Sequence, residues 1–188
     1  MNIFYLHEDP IQNAKWHIDK HIVKMPIEYA QLMSTAHRML DGEMYLGKTS
    51  NNRKIKRWRL NDEREDVLYK ASHVNHPSAI WVRQSVENYM KMYKIYMATL
   101  AEYTYRYGKI HGSTKPSMLL IRPPKNIPKI KGTQLPQCMP EMCKVKDNPI
   151  LAYRNYYIVE KNSFASWKNR SKPEWYKEKD IMNTWVGV

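Results

Sequence analysis

The chain has 188 residues and carries 31 Lys and Arg against 18 Asp and Glu, a formal net charge of +13. No apolar run approaches the length of a bilayer span, and residues 1–10 lack the basic start and apolar centre of a signal peptide. Composition therefore disfavours membrane-spanning and secreted proteins. We expect one intracellular domain, residues 1–188, whose partner is a polyanion, most simply nucleic acid.

The aromatic residues and the cysteines give further information about the kinds of site that the protein contains. The 14 Tyr and 6 Trp greatly outnumber the 2 Phe, and rings that carry a polar atom suit half-wet surfaces and stacking sites. The spacing of Cys138 and Cys143 matches no common zinc or redox pattern, so two reduced thiols are predicted. No metal or other cofactor is expected.

The sequence of residues 1–40 predicts a short N-terminal segment followed by a helix. MNIFYL fits a short strand or an extended segment, and Asp9-Pro10 is typical of a helix start. Pro26 should kink or split the helix, because it removes one backbone hydrogen bond. Apolar residues at three-and-four spacing predict the buried face. They are Ile18, Ile22, Met25, Tyr29, Leu32, Ala36 and Met39.

The neighbouring face of this helix is wholly polar. It comprises His17, His21, Lys24, Glu28, Gln31, Thr35 and Arg38. A carboxylate flanked by lysine and histidine can serve as a general base or electrostatic stabiliser, and histidine titrates near neutrality. A solvated face with ordinary i to i+4 ion pairs explains the pattern about as well. Zinc binding by His17 and His21 would need a third ligand, which no supporting spacing provides.

Two further segments precede the middle of the chain. Residues 41–60 contain turn signals and then a basic run that encloses Trp58, which predicts an exposed loop or arm. A second long helix is predicted from Asn75-His76-Pro77 to about Tyr107, with Gly108 as its stop. The Asn-His pair can cap this helix or hold a phosphate there, and capping alone is the simpler interpretation. Inward candidates on the helix are Ile80, Val86, Tyr89, Tyr93, Tyr96, Leu100 and Tyr103.

The remainder of the chain completes a mainly α architecture. Frequent prolines predict an irregular segment over 113–149, and a last helix is expected from Pro149 to Trp167. The predicted fold is a single compact helical domain with long irregular Pro-rich and basic loops and little or no sheet.

Basic and aromatic side chains alternate at several places, as phosphate contact combined with base stacking requires. Tyrosines at helical spacing in these clusters could equally be core. Because phosphate neutralisation sums over many contacts, the clusters together favour DNA as the partner. The candidate DNA contacts are Arg38, Trp58, Asn75, His76, Trp81, Arg83, Tyr105, Arg106, Lys109, His111, Arg154 and Trp175.

Five stretches outside residues 41–70 carry a family resemblance: WHIDKHIVKMPIEYAQLMSTAHR, NHPSAIWVRQS, EYTYRYGKIH, AYRNYYIVEK and SWKNRSKPEWY. They resemble a family of small phage-encoded proteins associated with thymidine hypermodification of DNA. A more distant resemblance is to the phage pyrimidine-dimer DNA glycosylases, which are single-domain α proteins. There an Asp-x-His pair precedes a catalytic Glu by the spacing of Asp19, His21 and Glu28. A Pro-x-Trp-Tyr segment in that family resembles Pro173 to Tyr176.

The first resemblance implies an enzyme that transfers an amine-bearing group to activated 5-hydroxymethyl-uracil in phage DNA. Its partners would be DNA and a small amine or amino-acid donor, and a monomer in the cytoplasm of the infected bacterial host is expected. The second implies a pyrimidine-dimer-glycosylase-like fold and a DNA glycosylase and AP lyase with Glu28 as catalytic carboxylate. Either chemistry needs the target nucleotide unstacked, and Trp58, Trp81 or Tyr105 could fill the gap.

The first two residues help to distinguish the transferase from the glycosylase. The glycosylases attack with a free N-terminal amine exposed by removal of Met before a small residue. Asn2 is bulky, so we expect Met1 to remain and its amine to act, if at all, from a position displaced by one residue. A transferase needs a positioned donor amine, a base and cations for a departing phosphate. Candidates for the base are Glu28 and His21, supported by His17 and Asp19, and candidates for the cations are Lys20, Lys24 and Arg38.

The sequence therefore favours the transferase. The glycosylase and lyase is the alternative, and a non-catalytic DNA-binding protein is the third interpretation.

Overall fold

The structure is a computed structural model, and it describes residues 1–176. Regular structure in these residues is mostly helical, which confirms the mainly α prediction. The helices are α1 (Pro10–Trp16), α2 (Asp19–Asp41), α3 (Arg64–Val67), α4 (Pro77–Gln84), α5 (Val86–Tyr107), α6 (Ser117–Leu120) and α7 (Pro149–Glu160). The strands β1 (Glu43–Lys48) and β2 (Lys54–Arg59) form one antiparallel pair. Within residues 1–176, no helix is both long and apolar enough to cross a membrane.

Helices α2 and α5 run antiparallel through the core. At one end, His37 of α2 hydrogen-bonds Tyr89 of α5 with 2.7 Å between Nε2 and Oη. At the other end, Arg106 of α5 lies 2.9 Å from Asp19 of α2. Helix α1 packs against α5, and α4 packs against both long helices. The predicted apolar face of α2 is buried as expected, except that Met39 is half-buried.

Tyrosines fill much of this core, and the expectation that rings with a polar atom lie at half-wet surfaces is wrong for them. Five of these side chains are fully buried: Tyr29, Tyr89, Tyr96, Tyr153 and Tyr157. Their hydroxyls all have partners inside the protein, as burial of a polar ring requires. Tyr89, for example, donates to the carbonyl of Leu120, and Tyr153 donates to the carbonyl of Pro136.

The first predicted helix is divided, but not at Pro26. Asp9 caps α1 by accepting a hydrogen bond from the amide of Gln12, as predicted. The chain then becomes extended at His17 and Ile18, where the carbonyl of Ser166 accepts the amide of Asp19. Helix α2 continues through Pro26, whose ring is buried. The division between α1 and α2 therefore coincides with a contact to residue 166, which the local sequence pattern cannot predict.

The second predicted helix is also divided, at Ser85. Ser85 caps α5 through a hydrogen bond from the amide of Asn88, and His76 rather than Asn75 caps α4. Gly108 ends α5 with a φ of 64°, in agreement with the prediction, because glycine adopts this left-handed conformation without strain. Ile80, predicted to face inward, is 36% exposed.

Residues 43–59 form a β-hairpin, so the prediction of a loop at 41–60 is wrong, whereas its exposure is confirmed. Ile55 and Trp58 interrupt the basic run and supply side chains that favour a strand. The strands pair from Glu43 opposite Arg59 to Lys48 opposite Lys54.

The Pro-rich segment 113–149 is largely irregular, as predicted. It contains only the short α6 and a 3-10 turn at 141–143, and a further 3-10 turn covers 112–114. Helix α7 ends at Glu160, earlier than the predicted Trp167, because the chain turns into another 3-10 segment at 162–164. Cys138 and Cys143 are both free thiols.

Candidate active site

Residues 3–6 form an extended, buried segment that belongs to no sheet. The side chain of Asn13 replaces a neighbouring strand: its Oδ1 accepts the amide of Leu6 at 2.6 Å, and its Nδ2 donates to the carbonyl of Phe4 at 3.2 Å. The hydroxyl of Tyr29 accepts the amide of Phe4, and Arg154 donates to the carbonyl of Leu6. Side chains from three helices thus fix the path of the first residues.

This path brings the main-chain amine of Met1 to Glu28 on α2. The amine nitrogen lies 3.9 Å from Oε2 of Glu28, and Nζ of Lys24 lies 2.9 Å from its Oε1. The side chain of Met1 is only 4% exposed although the residue as a whole is half-buried, so its exposed surface belongs to the main chain. At 3.9 Å the amine attracts the carboxylate without a hydrogen bond to hold it there.

Burial separates the roles of the two side chains on α2. The Glu28 side chain is 14% exposed, whereas that of Lys24 is 68% exposed. A half-buried carboxylate with a positive charge on each side is suited to stabilise further positive charge or to accept a proton. Glu28, Lys24 and the Met1 amine are called the amine–carboxylate site below.

His76 lies within electrostatic range of this site. Burial lowers its pKa, the positive Met1 amine and His73 lower it further, and Glu28 opposes them. Nδ1 of His76 accepts the amide of Ser78 to cap α4. In the neutral ring the proton therefore sits on Nε2. Asn75, the preceding residue, is exposed.

The two histidines of the predicted polar face lie in the core, so the prediction that they face substrate is wrong. His17 hydrogen-bonds the carbonyl of Asn13 at 2.7 Å and the hydroxyl of Tyr29 at 3.2 Å. His21 hydrogen-bonds the hydroxyl of Tyr157 at 2.7 Å. Burial lowers the pKa of His17 to about 4 and that of His21 to about 2. Both rings are neutral near pH 7 and support the segment that carries Met1.

Arg106 does not reach the amine–carboxylate site, and its assignment to DNA is wrong. Its side chain is 0% exposed and pairs with Glu102 (Nε–Oε1 2.7 Å) and Asp19 (Nη1–Oδ1 2.9 Å). Asp19 precedes Glu28 by nine residues on α2, a rise of about 13 Å. Asp19 is thus a structural partner rather than a reacting group. Lys20, beside it, is exposed and lies 4.3 Å over the ring of Phe164.

Arg38 is also buried, and its predicted contact with a substrate phosphate is wrong. Its guanidinium donates to the carbonyls of Tyr69 (2.7 Å) and Trp58 (3.0 Å) and pairs with Glu65 at 2.6 Å. Further bonds go to the carbonyls of Glu65 and Leu68. Arg38 therefore fixes the base of the hairpin to α2. Trp58 itself is half-buried on β2.

Two candidate DNA contacts on α4 are used within the fold. Trp81 is 2% exposed and donates from Nε1 to the carbonyl of Thr133, so it cannot stack on an extruded base. Arg83 is half-buried and donates to the carbonyl of Val74 at 2.7 Å. Both predictions failed because their partners lie in irregular segments, which no helical pattern reveals.

The end of α5 keeps several candidates at the surface. Tyr105 is 55% exposed, with the guanidinium of Arg170 3.7 Å from its ring centre. Lys109 is exposed. His111 is half-buried, caps the following turn through Ser113, and hydrogen-bonds the carbonyl of Val23.

An aromatic cleft of about 980 Å³ lies at the far end of the buried segment, beside His7. The guanidinium of Arg154 lies 5.0 Å from the ring of Trp16 and 5.3 Å from that of Trp175. The indole N–H of Trp175 is buried and has no hydrogen-bond partner among the described residues. Arg154 and Trp175 were predicted candidates; Trp16 was not.

Sequence reasoning missed the contact between Met1 and Glu28, although the apolar run from Ile3 to Leu6 is a signal that the short N-terminal segment is buried. It also missed Trp16. Within residues 1–176, no three His, Cys, Asp or Glu side chains gather as a metal site would require. Comparisons of the chain with family models, with curated proteins and with solved structures gave no match.

Proposed function

We propose that this protein is a DNA enzyme that acts on an extruded nucleotide, with glycosylase and lyase chemistry as the form best supported by the site. The observation that carries the proposal is the Met1 amine 3.9 Å from the half-buried carboxylate of Glu28. An enzyme amine held beside a carboxylate is the arrangement that covalent catalysis at a sugar carbon requires. The net charge of +13 and the exposed basic residues supply attraction to DNA.

The chemistry divides into two steps. The neutral amine donates its lone pair to C1′ of the deoxyribose, and the bond from C1′ to the base breaks. The base departs with that electron pair and takes up a proton. As the sugar ring opens, the bond from C1′ to O4′ breaks with its electron pair leaving on O4′, and O4′ takes up one proton from the nitrogen. A protonated imine remains, and the negative charge of Glu28 stabilises its positive charge. Glu28 then accepts a proton from C2′, and elimination expels the 3′ phosphate. Water hydrolyses the imine and frees the amine.

The resemblance to the pyrimidine-dimer glycosylases supports this assignment through the spacing of Asp19, His21 and Glu28. In our proposal these residues divide the work. Glu28 reacts, while Asp19 and His21 hold α2 and the N-terminal segment in place through Arg106 and Tyr157. The displacement expected from Asn2 is compensated because the Met1 amine itself lies near the carboxylate.

Borohydride trapping with ultraviolet-irradiated duplex DNA tests the proposal. We expect a covalent adduct with irradiated but not with unirradiated DNA, and its peptide mass should identify the Met1 amine. Glu28→Gln should lower strand cleavage by about 10²- to 10⁴-fold, the usual contribution of a general base. Glu8→Gln, which removes an exposed carboxylate close to the same segment, is the matched control and should retain full activity. Undiminished cleavage by Glu28→Gln, or an adduct on another amine, would contradict the assignment.

Transfer of an amine-bearing group to activated 5-hydroxymethyl-uracil is the second candidate. It is favoured by one observation, the exposed ammonium of Lys24 2.9 Å from Glu28. In this reaction a donor amine attacks the methylene carbon, and the C–O bond breaks with its electron pair leaving on the phosphate. Glu28 takes the proton of the amine and Lys24 stabilises the departing phosphate. The burial of His21 and Arg38 removes two of the groups predicted to assist.

Mass spectrometry of nucleosides distinguishes the two candidates. DNA that carries phosphorylated hydroxymethyl-uracil is incubated with the protein and a mixture of amines and amino acids. A base with added mass supports transfer. Unchanged nucleosides together with a trapped adduct on irradiated DNA support the glycosylase. Salt-sensitive DNA binding with neither a modified base nor a trapped adduct would indicate a non-catalytic DNA-binding protein.

A further inference from the structure

The hairpin formed by β1 and β2, residues 43–59, concentrates positive charge. It carries six Lys and Arg against one acid, a net charge of +5. None of its cations forms an ion pair within 4 Å of another described acid; Arg59 stacks on Tyr45 at 5.0 Å and helps to lower the pKa of Glu65. The cations are Lys48, Arg53, Lys54, Lys56, Arg57 and Arg59.

The strand register divides the hairpin into two faces. Cross-strand partners share a face, so one face consists of Met44, Leu46, Lys48, Lys54, Lys56 and Trp58. On this face Met44 is 53% exposed and Leu46 is 67% exposed, and the three lysines are exposed as well. The opposite face contains half-buried Ile55 and Arg57. The first set is called the lysine face below.

The base of the hairpin is held rigidly on α2. Arg38 donates to the carbonyl of Trp58, and the amide of Gly42 bonds the carbonyl of Arg38. The backbones approach so closely that a Cβ at Gly42 would lie 2.5 Å from the Arg38 oxygen. A fixed arm that exposes cations loses little conformational freedom when it binds.

We propose that the lysine face binds the major groove of duplex DNA. This inference rests on the proposed function for DNA as the partner and adds which form of DNA, and which groove, the protein holds. The major groove of B-form DNA, about 12 Å wide, admits a two-stranded β-ribbon. Six residues per strand give an arm of about 20 Å. Three lysines would contact phosphates, and Met44 and Leu46 would meet apolar base edges such as thymine methyl groups.

The arm and the amine–carboxylate site are close enough to share one duplex. Glu28 precedes Arg38 by ten residues on α2, a rise of about 15 Å. One turn of B-form DNA spans about 34 Å. The separation of the two sites along α2 is therefore shorter than one turn of a bound duplex.

The test measures binding to a 20-base-pair DNA duplex by fluorescence anisotropy over a range of salt concentrations. The variant Lys48→Gln, Lys54→Gln, Lys56→Gln should lower the slope of log K against log salt by about 2.7, because each phosphate contact contributes about 0.9. The matched control, Lys129→Gln, Lys131→Gln, Lys146→Gln, removes the same charge from exposed positions of the Pro-rich segment. This control should lower the slope by less than about 0.9, the contribution of one phosphate contact. Equal changes in the two variants would overturn the proposal.

The form of nucleic acid provides a second readout. The major groove of A-form RNA is too deep and narrow to admit a ribbon, and a single strand has no groove. The hairpin variant should therefore weaken binding to duplex DNA by more than it weakens binding to duplex RNA or to single-stranded DNA. An equal loss on all three would show a general electrostatic effect and overturn the assignment to the groove.

A third variant separates this inference from the proposed function. The lysine-face substitutions should lower the salt slope by the same amount in the wild-type and in the Glu28→Gln background, because the ion-pair partners of Glu28 are Met1 and Lys24, which lie outside the arm. Hairpin-dependent duplex binding without any chemistry at Glu28 supports the arm and rejects the enzyme. Chemistry at Glu28 with an unaltered salt slope in the hairpin variant supports the enzyme and rejects the arm.

Discussion

Positive charge is used in opposite ways at the end of α5 and on the hairpin. At α5, Arg106 and Arg170 face Glu102 and Asp19, and all four side chains are less than a quarter exposed. Burial alone would raise the pKa of Glu102, but Arg170 and Arg106 hold it below its usual value. On the hairpin, five of the six cations are exposed and none of the six forms an ion pair within 4 Å of a described acid. Charge buried with partners holds the scaffold together, and charge left unpaired at the surface is free to bind a polyanion.

The largest effect on stability is expected from a substitution in the buried cluster of charges at the end of α5. Arg106→Met should reduce the free energy of unfolding by about 3–5 kcal/mol, because Glu102 and Asp19 each lose a cationic partner and the carbonyl of Lys15 loses a donor. Lys109→Met, three residues later and exposed, should change it by less than about 0.5 kcal/mol. Both are measured by urea denaturation. A loss at Arg106 no larger than at Lys109 would show that this cluster does not hold the scaffold.

Buried histidines extend the comparison to groups that stay neutral. The pKa of His17 and of His37 is lowered to about 4 and that of His21 to about 2, in each case chiefly by burial. The unfolded chain takes up protons on these rings below about pH 6.5, whereas the folded protein does not, so stability is retained above pH 6.5 and falls toward pH 4. Each ring should contribute a loss of about 1.4 kcal/mol per pH unit across that window.

Denaturation at pH 7, 6 and 5 measures this loss. His17→Gln should reduce the pH dependence by the share that its own ring contributes, whatever it does to stability at pH 7. Asn51→Gln, which changes an exposed side chain that does not titrate, is the control and should leave the pH dependence unchanged. A stability that is flat from pH 7 to pH 5 would contradict the burial of these rings.

Gly42 lies between the scaffold and the arm. Its φ is −92°, so any residue could adopt the backbone, but a Cβ would lie 2.5 Å from the Arg38 oxygen and 3.0 Å from that of Arg59. Gly42→Ala should therefore cost about 1–3 kcal/mol through displacement of one backbone. Gly112→Ala, where a Cβ meets nothing within 4 Å, is the matched control. Equal stability of the two variants would mean that the hairpin base is not fixed as described.

The smallest effect on stability is expected at the lysine face. The variant Lys48→Gln, Lys54→Gln, Lys56→Gln should unfold within about 0.5 kcal/mol of wild type, since exposed substitutions without partners rarely do more. Its DNA binding should change while its stability does not. A large loss of stability in urea would mean that these lysines belong to the scaffold.

Local signals in the sequence predicted the parts of the fold that depend on neighbouring residues. Asp9 and Pro10 begin a helix and Gly108 ends one because caps and left-handed glycines act within a few positions. The break at His17 and the length of α7 depend on contacts made far along the chain. The hairpin was missed because Ile55 and Trp58, the residues of this basic run that favour a strand, lie on opposite faces and so give no alternating apolar pattern.

The candidate site divides in the same way. Glu28 was identified through its spacing from Asp19 and His21, and Lys24 follows from the helical repeat. Arg106 was misassigned because a charge looks the same in sequence whether it is buried or exposed. Its partner Glu102 lies four residues before it, but its second acidic partner, Asp19, lies 87 residues away. The apolar residues 3–6 predict that the first segment of the chain is buried. They do not predict that its path brings Met1 to Glu28.

The buried segment that carries Met1 also constrains when the protein can mature. Leu6 is held by Arg154, and His21 by Tyr157, so residues made first wait for partners made 148 and 136 positions later. At about 5–20 residues per second, a ribosome needs roughly 7–30 s to supply them. Until then the apolar run at residues 3–6 remains uncovered, and the amine has no fixed position beside Glu28. Under the function proposed above, a nascent chain should therefore not react with DNA until synthesis has passed α7.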